Sequence, residues 1–196
     1  MKDFWNTRYA EAGYAYGKTA NDFLQSYTFQ KPSKILCLAE GEGRNAVYLA
    51  QRGHEVTAID FSEVALEKTR QLAHENGVSV QTICADLNDY ALEANHWDAI
   101  VSIFAHFPPE IRKKVHQQIF ESLKPRGAFL LEAYQKSQLQ RGTGGPNALN
   151  MLYATEELRA DFQAFSNIQI ESKSRQINEG AFHNGISDVI QLITLK

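Results

Sequence analysis

The residues that promise chemistry begin in the run Ile35-Leu36-Cys37-Leu38-Ala39-Glu40-Gly41-Glu42-Gly43-Arg44-Asn45-Ala46, an apolar stretch that ends in a Gly-x-Gly turn and opens into a helical pattern. At such a turn Gly41 and Gly43 let the backbone bend tightly and let a ligand approach without a Cβ in the way. The new helix aims its free N–H groups at whatever binds. Asp60 closes the next apolar run, 17 residues beyond Gly43, near the spacing at which an acidic side chain takes both hydroxyls of a ribose. A further carboxylate stands in Cys84-Ala85-Asp86-Leu87. There Asp86 either meets an adenine amino group beside an apolar wall from Leu87 and Phe61 or caps a turn. Together these residues point to an adenosine-containing ligand. Ala46 stands where dinucleotide sites commonly carry a third glycine, and it does not by itself exclude NAD.

His106, in Phe104-Ala105-His106-Phe107-Pro108-Pro109, is the best candidate for acid–base work because imidazole titrates near neutrality. The other reading is a hydrogen-bonded structural histidine. Beyond Tyr134 a polar, glycine-rich stretch over 135–150 shows neither helical nor strand pattern. If it covers the site, its Lys136 and Arg141 favour a small anionic or polarisable substrate.

These residues need a scaffold, and the rest of the chain describes one. Short runs rich in β-branched residues predict strands over 34–39, 55–59, 80–85, 98–104, 128–133, 168–177 and 187–194, with helical spacing between most of them. Helices are expected over 44–52 and 63–76, each ended by a glycine, and after Pro108-Pro109, where Ile111, Val115, Ile119 and Leu123 form one stripe and Arg112, Lys113 and Lys114 stay outside. The alternation implies an α/β fold with a mostly parallel sheet and helices on both faces. Only the polar stretch 178–185 separates the last two strands, so they pair antiparallel. Residues 1–32 carry a dense set of aromatics, most of which read as packing helices onto the sheet edge, while Tyr14-Ala15-Tyr16-Gly17 breaks the helical pattern and either packs likewise or closes as a lid over a small molecule.

Composition narrows the function. A chain of 196 residues with 43% hydrophobic content suits one domain, and a net charge of −3 argues against nucleic acid as the main partner. No apolar run approaches the ~18–20 residues that span a bilayer, and no leader pattern opens the sequence, so a cytoplasmic protein is expected. The two cysteines, Cys37 and Cys84, both sit in apolar runs and read as reduced core thiols.

The run 35–43, Asp60, Ala85-Asp86-Leu87, Trp97-Asp98-Ala99-Ile100-Val101 and Leu123-Lys124-Pro125-Arg126-Gly127 come in the order and spacing of the class I S-adenosylmethionine-dependent methyltransferases, which the chain resembles over nearly its whole length. With Glu42-Gly43-Arg44-Asn45 and the aromatic N-terminal segment, it is most similar to the small bacterial tellurite-resistance and thiopurine-type enzymes. The resemblance implies a Rossmann-like seven-stranded sheet with an antiparallel last strand and S-adenosyl-L-methionine as cofactor. It places Gly41 and Gly43 under the methionine part, Asp60 on the ribose, Asp86 and Leu87 at the adenine, and Ser102 to Phe104 near the sulfonium. The family usually has an acidic residue at Cys37 and a glycine at Ala39; Glu40 either turns inward as a substitute carboxylate for the cofactor's amino group or is solvated. The acceptor end lacks the Asp/Asn-Pro-Pro-aromatic tetrad of amino-group methyltransferases. This favours a small-molecule sulfur, chalcogen or oxygen acceptor, handled by a monomer or homodimer. A nicotinamide-linked oxidoreductase and a non-catalytic cofactor-binding protein are the alternatives.

Overall fold

Successive residues of a strand face opposite sides of a sheet, and β1 (Lys34–Leu38) divides accordingly: Ile35 and Cys37 enter one core, Leu36 and Leu38 the other. The same division holds in β4 (Trp97–Ile103) and β5 (Leu123–Tyr134), where Ala99, Val101 and Leu130 join the first core and Ile100, Phe129 and Leu131 the second. The first core is closed by α2 (Asp22–Ser26), α3 (Arg44–Gln51) and α4 (Glu63–Glu75) through Leu24, Val47, Leu49, Leu66 and Leu72. The second is closed by α5 (Pro109–Ser122) and α6 (Thr155–Asp161) through Val115, Ile119, Leu158 and Phe162. Helices therefore cover both faces, as expected. This computed structural model describes residues 2–30 and 32–196; Met1 and Lys31, part of the segment expected over 1–32, lie outside the described residues.

With β2 (Glu55–Asp60), β3 (Gln81–Cys84), β6 (Ser166–Glu179) and β7 (His183–Leu195), the sheet has seven strands in the order β3-β2-β1-β4-β5-β7-β6. The first five are parallel, and β7 runs antiparallel to both β5 and β6. Strand order reverses between β1 and β4, and such a reversal opens a crevice beyond the strands' carboxyl ends.

Four expectations need correction. The terminal hairpin is longer than its apolar core, because ladder hydrogen bonds need no apolar side chain: pairing continues through the polar stretch to Glu179 and His183. The Lys124-Pro125-Arg126-Gly127 turn is the bulged start of β5, with Arg126 at φ 68°. Cys84 is exposed, since β3 is an edge strand, whereas Cys37 is buried. Arg112 is buried, its guanidinium over the Tyr153 ring and 3.2 Å from the Glu157 carboxylate, so only part of that basic cluster is solvated.

Candidate active site

Beyond β1 the chain turns through three left-handed residues, Ala39 (φ 47°), Gly41 (φ 69°) and Gly43 (φ 91°), before α3 begins. A Cβ on Gly43 would lie 2.8 Å from Thr69 of α4, and one on Gly41 would lie 2.9 Å from the Tyr9 hydroxyl. Both glycines thus answer to packing within the protein. Neither lines the crevice, because Tyr9 of α1 (Lys2–Ala10) covers Gly41.

Glu40 folds back onto the start of α3, its Oε1 accepting the N–H groups of Asn45 and Ala46 at 2.9 and 2.8 Å. Burial pushes its carboxyl up to about 7, against the pull of those two bonds and of Arg44. Asp60, at the end of β2, accepts the Gly41 N–H at 2.9 Å through Oδ2 and the Ser62 N–H at 2.8 Å through Oδ1. Burial raises it to about 6, against the pull of the backbone N–H groups of Ser62, Gly41 and Phe61.

Two cavities meet here. The first is lined by Trp5, Tyr9, Tyr16, Glu40, Glu42, Arg44 and Asn45, and farther along by Phe104, His106 and His183. The second is lined by Ala85, Asp86, Leu87, Pro108 and Ile111. Ala39, Asp60, Phe61 and Phe107 belong to both, so Asp60 stands at the junction of one bent cleft. Asp86 also closes a turn, its Oδ1 accepting the Asn88 N–H at 2.8 Å.

Of the expected site residues, the cleft gathers Tyr16, Glu40, Asp60, Phe61, Asp86, Leu87, Phe104 and His106, and leaves Gly41, Gly43 and Ser102 outside its lining; Ser102 is buried within β4. His106 has no free nitrogen. Its Nδ1 donates to the Met151 carbonyl at 2.9 Å and its Nε2 accepts the Tyr134 N–H at 3.3 Å. Burial lowers its pKa to about 4, so the ring is neutral and held between two backbone groups. The stretch 135–150 does not border the main cavity. Its Lys136 pairs with Glu157 and its Arg141 with Asp188, so its cations are spent on other carboxylates.

Sequence reasoning missed Trp5, Tyr9 and His183. The first two lie in a helix that reads as sheet-edge packing, and His183 lies in a polar stretch taken for a connection. Three carboxylates against one guanidinium in the main lining suit a ligand that carries positive charge.

Residues 35–127 match the methyltransferase domain family. The uncharacterized methyltransferase YbaJ of Bacillus subtilis (strain 168) is 31% identical over 101 residues, which is 51% of this chain and 40% of that protein. The probable S-adenosyl-L-methionine-dependent methyltransferase TehB of Haemophilus influenzae is 30% identical over 89 residues, 44% of this chain and 31% of its own length. The matched stretch thus spans less than half of either relative. The crystal structure of TehB from Haemophilus influenzae superposes on all of this chain and 66% of the other, with a TM-score of 0.74 at 18% identity. Residues 35–127 thus resemble the methyltransferase domain family, and the fold of the chain is that of TehB from Haemophilus influenzae.

Proposed function

We propose that the chain transfers a methyl group from S-adenosyl-L-methionine to a small molecule through a sulfur, chalcogen or oxygen nucleophile. The observation that carries this reading is the bent cleft hinged on Asp60, with a carboxylate-rich arm on one side and an apolar arm ending in Asp86 on the other. Asp60 takes the ribose hydroxyls. Phe61, Leu87, Pro108 and Ile111 flank the adenine, whose amino group reaches Asp86. Glu40 meets the cofactor's ammonium and Arg44 its carboxylate. The rings of Tyr9, Tyr16 and Phe104 offer faces to a sulfonium, which such faces attract.

When bound, the cofactor supplies an activated methyl group, so the protein's task is alignment and exclusion of water. Trp5, Tyr9 and Tyr16 roof the main cavity. Tyr16 lies in a segment that is pinned from both sides, by Glu42 and by the β6–β7 turn. His106 positions Tyr134 and the backbone at Met151 rather than moving a proton. A related fold at 16% identity, with a TM-score of 0.70, belongs to a protein that converts a disulfide bond into a thioacetal group during echinomycin biosynthesis, which is consistent with sulfur as the accepting atom. Residues 1–196 act as one domain, as a cytoplasmic monomer or homodimer without nucleic acid or membrane. Among the described residues no helix is long and apolar enough to cross a membrane, and the free thiols of Cys37 and Cys84 suit a reducing compartment.

Calorimetric titration with S-adenosylmethionine, S-adenosylhomocysteine and NADH tests the reading. Saturable binding of the two sulfur compounds alone is expected. Binding of NADH instead would replace it with an oxidoreductase, and cofactor binding with no turnover of any thiol, selenol or phenol would leave a binding protein.

A further inference from the structure

The acceptor end of the main cavity contains one histidine that the fold does not satisfy. His183, at the start of β7, is 9% exposed, and its Nδ1 is sealed from solvent with no hydrogen-bond partner. Its ring is fixed by Tyr16, Phe104 and Tyr134, with centroids at 4.4, 4.7 and 5.3 Å. It borders the same cavity as Glu40 and Asp60. Buried polar groups in folded proteins are almost always paired, and His106, whose ring stacks on the same Tyr134 ring at 5.6 Å, has both nitrogens engaged. Unlike His106, His183 keeps a nitrogen that the fold leaves unpaired, on a ring that borders the cavity.

Resting on the methyltransferase reading, we propose that His183 binds the X–H group of the acceptor and takes its proton, and that the acceptor is a neutral, flat, apolar-bodied thiol or phenol. The walls select that class. Tyr16, Phe104 and Phe107 offer ring faces and edges to a flat body, while Glu40, Glu42 and Asp60 oppose an anion. A cationic amine would be repelled by the sulfonium beside it. Burial and the nearby Arg44 hold the His183 ring neutral, so a lone pair is available to accept the X–H. In the step itself the bond from X to the methyl carbon forms as the methyl–sulfonium bond breaks, with its electron pair staying on sulfur. The X–H proton passes to the imidazole, which returns it to water when the products leave.

The test uses phenylmethanethiol and phenol, both neutral near pH 7, as probe acceptors with the full chain and with His183→Phe, which keeps the ring packing and removes both nitrogens. In the parent, S-adenosylhomocysteine is released with at least one probe, and phenylmethanethiol added to the S-adenosylhomocysteine complex shifts a histidine ring ¹⁵N signal that is absent from the variant. In His183→Phe, cofactor affinity stays within threefold while kcat/KM for the probe falls at least thirtyfold; His183→Gln, which can accept but not carry the proton, restores KM and not kcat. A kcat/KM within twofold of the parent in His183→Phe, with no ring signal moving, overturns the proposal. Cofactor binding with neither probe turned over overturns the acceptor class. Absence of cofactor binding overturns the methyltransferase reading beneath it.

Discussion

The carboxylate of Glu42 accepts the backbone N–H of Ala15 at 2.7 Å, from a position beside Gly43 at the head of α3. The same carboxylate pairs with Lys68 of α4 at 2.9 Å, and Lys68 also donates to the carbonyls of Glu11 and Gly13. On the other side the Ala181 N–H donates to the Ala15 carbonyl at 3.0 Å, so residues 11–17 form a strap held between α4 and the β6–β7 turn. The strap carries Tyr16 across the cavity.

Glu42→Ala removes one of these anchors, leaving the half-buried Ala15 N–H without its acceptor and Lys68 with only its two carbonyl acceptors, an expected loss of about 1–3 kcal/mol. Limited proteolysis checks it. Cleavage within 11–20 should be faster than in the parent and should slow again with S-adenosylhomocysteine, whose proposed site lies under the strap. An unchanged cleavage pattern would mean that the strap is held by Lys68 and Ala181 alone.

The raised carboxyls at the hinge of the cleft make cofactor binding depend on pH. Glu40 titrates at about 7 and Asp60 at about 6, both above their ordinary values because burial disfavours the charged form. The folded chain without cofactor therefore holds more protons than the unfolded chain from roughly pH 4 up to about 7, and this contribution to stability falls as pH rises through that window. A cofactor with two positive groups favours the ionised carboxylates and expels those protons. Affinity should accordingly climb between pH 5.5 and 8 and then level off. Asp60→Asn should bind the cofactor more weakly by about 1–3 kcal/mol and flatten the lower part of the curve; a pH-independent affinity in the parent would remove both carboxylates from the site.

The fold was legible because its signals are local and repeat. Apolar runs of strand length separated by helical spacing determine a parallel α/β sheet, and the short connection before β7 determines the antiparallel hairpin. Asp60, Asp86, Leu87 and Tyr16 were legible because they sit at strand ends or in a break of pattern, where side chains reach a crevice. What escaped were partners distant in sequence. Nothing near Gly41 announces that Tyr9 fills the space above it, and nothing near His106 announces that Met151 and Tyr134 take its two nitrogens. The cations of 135–150 were read as free because Glu157 and Asp188, which pair with them, belong to later elements.

His106 is expected to behave as a structural residue. His106→Ala leaves the Met151 carbonyl and the Tyr134 N–H unpaired and opens a void beside Tyr134 and Tyr153, an expected loss of about 2–4 kcal/mol. Because its pKa is lowered to about 4, the native ring stays neutral while an unfolded histidine takes up a proton below about 6.5. Its contribution to stability is therefore complete above that value and is lost as pH falls toward 4. Denaturant melts at pH 5 and 8 check both statements: the gap between parent and variant should be smaller at pH 5. A variant with parental stability at pH 8 and slowed turnover would return His106 to catalysis.

Ala39 offers the last test, because its backbone has the conformation of a glycine. At φ 47° an L-residue brings its Cβ against the following carbonyl, at a cost of about 1–2 kcal/mol. Ala39 nonetheless joins the two halves of the cleft. Ala39→Gly relieves the strain and restores some unfolded-chain freedom, which offsets part of the gain. The net expectation is a stabilisation of about 1 kcal/mol, or a rise of roughly 2–4 °C in Tm for a chain of this size. Since the methyl group also borders both cavities, its removal widens the passage beside Asp60 without taking away a polar contact. Cofactor affinity should hold or improve. A lower Tm would show that the methyl group's packing against the second core outweighs the strain.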